Sequence, residues 1–422
     1  MFLRRPHGRL GLWLAISLLG AGIVAPPGPA PLPAQAAPLT GPDGREPASG
    51  SSRSPAGPPD DPLFPFQWNL KAMQIPSAWT VSRGAGAVVA VLDTGVAYED
   101  RGPYRRAPDL EATRLVAGRD FVDGDARPND VPPPGGRRSH GTQIAGIIAQ
   151  TAGNGIGGAG VAPEATIMPV RVLKPDLDGS ATAIARGLRF AADHGADIAN
   201  VSIAGPSRAR VLKEAVDYAT AKGVTIVAAA GNDGAAKVSW PAAYPKVIAV
   251  GAVAADQTRT SYSNYGAALD LVAPGGAGDR VDTGFGPGDG VVAQTLKGGP
   301  STFCFCFMAS TSAAAAQVSG VAALLLASGH ATTPAAVRAA LLAGARDLGA
   351  PGTDPDYGAG LVQARGALAA ARPPSRVTAA PRAARGPSDQ SPAIWVALAA
   401  GGAVVMIGGT VLVLRRRRGV SG

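Results

Sequence analysis

Val88-Val89-Ala90-Val91-Leu92-Asp93-Thr94-Gly95 is a continuous apolar run closed by a carboxylate and a glycine turn. Strands of a parallel sheet read this way, because helices cover both of their faces. Open α/β sheets place their sites at the carboxyl ends of such strands. Asp93 is therefore a candidate site residue, although Asp-Thr-Gly also serves as an ordinary strand-ending turn.

Working outward, the same kind of run recurs in alternation with amphipathic segments. Strands are expected over 166–173, 197–203, 224–230 and 247–253, and helices over 181–194 and 211–222. Alternating strands and helices imply an α/β fold with a mainly parallel sheet and helices on both faces. Upstream, Phe64, Phe66 and Trp68 open the folded region, and 69–79 reads as a short helical approach. Residues 98–139 carry many prolines, glycines and charges and are expected to be surface loop.

A serine, a histidine and an asparagine occupy similar element ends. Ser312 lies between small residues just before an apolar run that reads as a buried helix. Free backbone N–H groups and the helix dipole there favour developing negative charge, which suits a nucleophilic hydroxyl attacking a carbonyl. An ordinary N-cap serine has the same local sequence. His140 precedes the apolar helix that begins Gly141-Thr142-Gln143-Ile144. The other histidines are His7 in the leader and His194 and His330 near expected helix ends, where a cation suits the dipole. Asn232 follows a buried strand in Gly231-Asn232-Asp233-Gly234, a turn asparagine or an amide donor. The acid, the base and the nucleophile thus come in the order Asp93, His140, Ser312, an order known for one of the convergent serine triads.

In these motifs the sequence resembles the subtilisin-like serine proteases, or subtilases. Val-Ala-Val-Leu-Asp93-Thr-Gly-Val is similar to the family's aspartate motif and His140-Gly-Thr-Gln-Ile-Ala-Gly to its histidine motif. Val-Ala-Ala-Ala-Gly-Asn232 resembles its oxyanion-hole motif, and Thr311-Ser312 with the following alanines its serine motif. Supporting matches are Ser261 to Gly266, Ala273-Pro274-Gly275 and Tyr357 to Gly360, so the resemblance covers roughly 63–370. It implies a subtilisin-like serine endopeptidase acting on polypeptides, with Asp93, His140 and Ser312 as triad and Asn232 in the oxyanion hole. Ser202, Ile203 and Ala204 match the segment on which the family pairs its substrate as an added strand. Neither a metal nor another cofactor is implied. The chain departs from the family pattern at Ser139 and Ser310, where glycine is usual, and at Ala204, Ala313 and Ala316. A Cβ at Ser310 or Ala204 would strain the backbone if those positions required a positive φ.

Cys304 and Cys306, in Phe303-Cys-Phe-Cys-Phe307, have the period that places both on one face of a strand. They are expected to be two unbridged, buried, small apolar side chains.

The chain ends explain the charge. Formal net charge is +9, but Arg4, Arg5, Arg9 and Arg415 to Arg418 flank apolar segments, and four arginines lie in 371–392. The rest is close to neutral, so the basic balance gives no sign of a nucleic-acid partner. Residues 1–36 read as a signal peptide, with an apolar stretch over 10–24 and Ala34-Gln35-Ala36 as a cleavage site. A Pro/Gly-rich arm over 37–62, the peptidase domain over 63–370 and a Pro/Arg-rich linker over 371–392 follow. Residues 393–414 carry no charge and suffice for one transmembrane helix, and Arg415 to Arg418 assign 415–422 to a cytoplasmic tail. The catalytic domain is then expected outside the cell membrane. This order of segments resembles the mycosins, membrane-anchored subtilases of type VII secretion. The resemblance implies a secretion-channel complex as a partner. The alternatives are a mainly structural subunit of such a complex and a cell-surface subtilase unrelated to secretion.

Overall fold

The computed structural model describes residues 59–205, 207–277 and 289–371. The expected signal peptide, linker, span and tail, and nearly all of the arm, lie outside them. Among the described residues no helix is long and apolar enough to cross a membrane.

The strands, in chain order, are β1 (Val88–Asp93), β2 (Arg114–Leu115), β3 (Arg119–Asp120), β4 (Thr166–Arg171), β5 (Ile198–Val201), β6 (Thr225–Ala229), β7 (Val247–Val253), β8 (Leu271–Pro274), β9 (Val291–Leu296) and β10 (Phe303–Met308). The helices are α1 (Trp68–Ala72), α2 (Ile75–Ala78), α3 (Gly141–Ala149), α4 (Ala181–Asp193), α5 (Arg210–Ala221), α6 (Thr311–Ala327), α7 (Pro334–Ala343) and α8 (Ala364–Ala370). An eight-stranded sheet runs β2-β4-β1-β5-β6-β7-β8, with β3 also on β4, and every pairing in it is parallel. β9 and β10 form a separate antiparallel hairpin.

The period of two along β1 divides its side chains between two cores. Val89 and Val91 join Ile144 and Ile148 of α3 and Val318 and Val321 of α6. Ala90 and Leu92 join Ile184 and Leu188 of α4 and Leu212 and Val216 of α5. Helix α6 is buried from Thr311 through Leu325, which is why it is apolar or small all round rather than striped. The expectation of a parallel sheet covered on both faces is met.

Several local expectations need correction. The helical approach at 69–79 is two short helices, interrupted at Gln74, whose φ is 59°. The stretch 98–139 is not all surface: it contains β2, β3 and the buried Asp109, Leu110 and Asp130. The strand expected over 197–203 stops at Val201, where the chain leaves its neighbours and runs on unpaired. Cys304 and Cys306 are bridged by a disulfide rather than free. Strand alternation puts both on one face, and the pleat brings their Cα atoms to 5.6 Å, within the span a disulfide needs. They are half-buried at the surface of the hairpin, not in the core.

Candidate active site

The chain continues from β1 to β4 on one side of the sheet and returns to β5 on the other. That reversal opens a crevice at the carboxyl end of β1. Asp93 is the last residue of β1 and is fully buried. Its Oδ1 accepts from the Thr94 N–H at 2.7 Å. His140 sits directly before α3, and its Nδ1 lies 2.8 and 2.9 Å from the two carboxylate oxygens of Asp93. Gly141 permits this approach: a Cβ there would lie 2.1 Å from the Gly95 carbonyl oxygen and 3.2 Å from Asp93 Oδ1.

Behind the pair lies a carboxylate that the sequence reading missed. Asp130 accepts from Thr94 Oγ1 at 2.8 Å, from the Thr142 N–H at 2.8 Å and from Thr142 Oγ1 at 2.7 Å. It therefore ties the turn after β1 to the first turn of α3, and so fixes His140 against Asp93. Burial pushes the Asp130 carboxyl up from its usual range, against those hydrogen bonds, and the Asp93 charge adds to the rise. Nothing in the Pro-rich stretch around Asp130 carries a period that marks it as buried. For His140, burial pulls the imidazole pKa down, but the charge and hydrogen bond of Asp93, aided by Asp130, outweigh it. The result is a pKa above the usual histidine value.

Ser310, not Ser312, is the N-cap of α6: its hydroxyl accepts from the Ala313 N–H at 3.2 Å. Ser312 is thereby released from the capping role and stands in the first helical turn, 5% exposed. Its hydroxyl donates to the Ser202 carbonyl at 3.2 Å, and the Ser202 hydroxyl donates to the Ser312 carbonyl at 3.1 Å. Ser202 is held in turn by Asn200 Nδ2 at 2.9 Å, and Asn200 Oδ1 by Ser319 Oγ at 2.9 Å. A buried polar chain thus fixes the first turn of α6 to the end of β5. Among the described residues no hydrogen bond joins Ser312 Oγ to His140. Such bonds are often made only when substrate binds.

Asn232 is exposed, and its Oδ1 accepts from both the N–H and the Oγ1 of Thr311 at 2.9 Å. Those two donors assign the amide orientation, and Nδ2 makes no hydrogen bond among the described residues. Gly231, with φ of 115°, makes the turn; a Cβ there would lie 2.2 Å from Asn264 Nδ2. Ile203 and Ala204 make no backbone hydrogen bonds among the described residues, which leaves an extended segment open for pairing beside Ser312. Asp93, His140, Asn232, Ser202 to Ala204 and Ser312 all stand at the carboxyl side of the sheet.

The departures at Ser310 and Ala204 carry no backbone strain. Ser310 is extended, with φ of −172°, and neither position has a positive φ. Ser139 differs: its N–H donates to Leu296 O and its carbonyl accepts from Thr295 Oγ1, but its own hydroxyl is buried without a partner. Such an orphan costs about 1–3 kcal/mol. Among the described residues no group of three or more His, Cys, Asp or Glu side chains is placed to hold a metal ion.

A family model described as the subtilase family, peptidase S8, matches residues 84–360. Thermitase of Thermoactinomyces vulgaris is 36% identical over 296 residues, 70% of this chain and 94% of the relative. Subtilisin Savinase of Lederbergia lenta is 36% identical over 301 residues, 71% of this chain and 97% of the relative. Among solved structures, a protease from Pseudoalteromonas arctica superposes with a TM-score of 0.65 at 33% identity, covering 75% of this chain and 100% of its own.

Proposed function

The chain belongs to the subtilase family and is a subtilisin-like serine peptidase; on that premise we propose that Ser312, His140 and Asp93 carry its catalysis. The observation that carries this assignment is the buried Asp93 carboxylate on His140 Nδ1, together with a serine freed from capping at the start of α6. Ser312 Oγ attacks the scissile carbonyl after turning from Ser202 O to His140. His140 takes its proton and delivers it to the leaving amine. Asp93 keeps Nδ1 protonated and stabilises the imidazolium. The oxyanion is held by Asn232 Nδ2 and the Ser312 N–H, and the substrate backbone pairs along 202–204. A serine-reactive phosphonate offered to the purified protein tests the assignment: it must label Ser312 and block peptide hydrolysis.

Asn232→Ala is expected to lower kcat by about 100- to 1000-fold with little change in KM, because its amide meets charge that appears only in the transition state. Steady-state kinetics on one peptide read both constants; equal losses in kcat and affinity, or no loss, would remove Asn232 from the oxyanion hole.

The same reading extends to location. The uncharged run 393–414 and the four arginines after it support a single C-terminal span with the peptidase outside. The disulfide supports the same side, since such bonds persist in oxidising compartments. Protease added to intact spheroplasts is expected to digest 63–370 while a tag after Gly422 stays protected; digestion of the tag reverses the orientation. A mycosin-like place in type VII secretion is the finer form of this proposal, supported by the order of leader, arm, peptidase, linker and span.

A further inference from the structure

Beside His140 lies a cleft of about 960 Å³ whose wall is formed by three segments: the stretch leading into His140 and α3, the turn at Pro175 and Leu177, and the β9–β10 hairpin with its flanks. Among the described residues three cations line it, Arg137, Arg138 and Lys297, and no carboxylate does. All three are exposed. Among the described residues none lies within salt-bridge distance of an acidic group. An antiparallel bridge between Arg138 and Lys297 fixes their backbones side by side, and Arg138 Nη1 is anchored on the Phe307 carbonyl. Like charges held together repel one another, and an anion seated among them relieves that repulsion. Phe307 and Leu177 add an apolar surface against which a side-chain stem can lie.

Resting on the triad assignment above, we propose that this cleft makes the enzyme selective for peptides with an acidic side chain next to the scissile bond. The location follows from His140 itself. It is both a wall of the cleft and the group that exchanges protons at the cut, so the residues lying over it are immediate neighbours of the scissile bond. The backbone of the substrate is gripped on the other side, along 202–204, without regard to sequence. Charge at the cleft then acts on the side chains next to the cut, which backbone pairing does not read.

The test uses internally quenched peptides of one parent sequence, with Glu, Ala or Lys placed singly at each of the three positions before and after the cut bond. At low ionic strength the best position is expected to favour Glu over Lys by about tenfold in kcat/KM, the order that a few partly exposed charge pairs supply. That ratio should shrink at about 0.5 M salt, where exposed charges are screened. In the double variant Arg137→Glu, Lys297→Glu the preference is expected to invert, with phosphonate labelling reporting that the triad is assembled. An enzyme that labels fully yet shows no position where Glu exceeds Lys by about twofold overturns the selectivity. An enzyme that neither labels nor cuts any peptide overturns the triad assignment, and the selectivity falls with it.

Discussion

Ser312→Ala is expected to reduce kcat for peptide hydrolysis by about a millionfold, the order known for removing the nucleophile from a triad of this kind. The fold should survive. The substitution deletes one buried hydroxyl, and the hydrogen bond it loses, to the Ser202 carbonyl, is worth about 1 kcal/mol. The reciprocal bond from Ser202 Oγ is accepted by the backbone of residue 312 and remains. Circular dichroism and thermal melting check the fold; hydrolysis and phosphonate labelling check the chemistry. Comparable hydrolysis by freshly purified wild type and variant would dismiss Ser312 as the nucleophile. The same variant separates catalyst from scaffold in a cell. On the proposed place in type VII secretion, Ser312→Ala is expected to keep export of secretion substrates in a deletion strain at matched protein levels, whereas loss of 393–422 should impair it. Export lost with the folded Ser312→Ala variant would mean that proteolysis itself is required.

Asp93→Asn is expected to cost about ten-thousandfold in kcat and also to move the acid limb of the pH profile downward. His140 must be neutral to accept the Ser312 proton, so activity disappears as pH falls through its pKa. Asp93 holds that pKa above the ordinary value of about 6.5, so the wild-type limb lies above it. With the charge removed, burial acts with less opposition and neutral imidazole persists to lower pH. Asp130 retains part of the upward push, so the limb moves without dropping to a fully desolvated value. The kcat loss has a separate origin: an asparagine amide turned toward Nδ1 favours the wrong tautomer. A rate loss with an unmoved acid limb would show that another group sets the profile.

The four functional motifs and the parallel sheet were legible because they rest on local chemistry. A double-sided strand is apolar throughout, as in Val88 to Leu92, and a turn that carries a catalytic group is marked by glycine, as at Gly95 and Gly231. What was illegible depended on partners distant in sequence. Asp130 and Ser319 gain their meaning only when β1, α3, β5 and α6 meet. On its own stretch Ser312 read first as an N-cap, a role that Ser310 takes by holding the Ala313 N–H. The Cys304–Cys306 bridge ran against the unbridged expectation, because it depends on how far the pleat closes their separation. At Ala316, where the family pattern has proline, the alanine supplies the N–H that a helix directs to the carbonyl of residue 312. That carbonyl also accepts from Ser202, so the departure leaves the first turn of α6 doubly held.

The central place of β1 governs when the enzyme becomes dangerous to its neighbours. Asp93 stands on a strand paired with β4 and β5 on either side, and Ser312 on a helix that packs across β5, β6, β7 and β8. Parallel pairings of this range close slowly, because each waits for a long intervening segment. A chain crossing a membrane with its amino end leading would present the acid and the base well before the nucleophile. It can cut nothing, neither itself nor its translocation machinery, until the last layer of the domain is across and packed. For a peptidase exported in this way, the order of the residues along the chain would act as a delay that keeps it silent until export is complete.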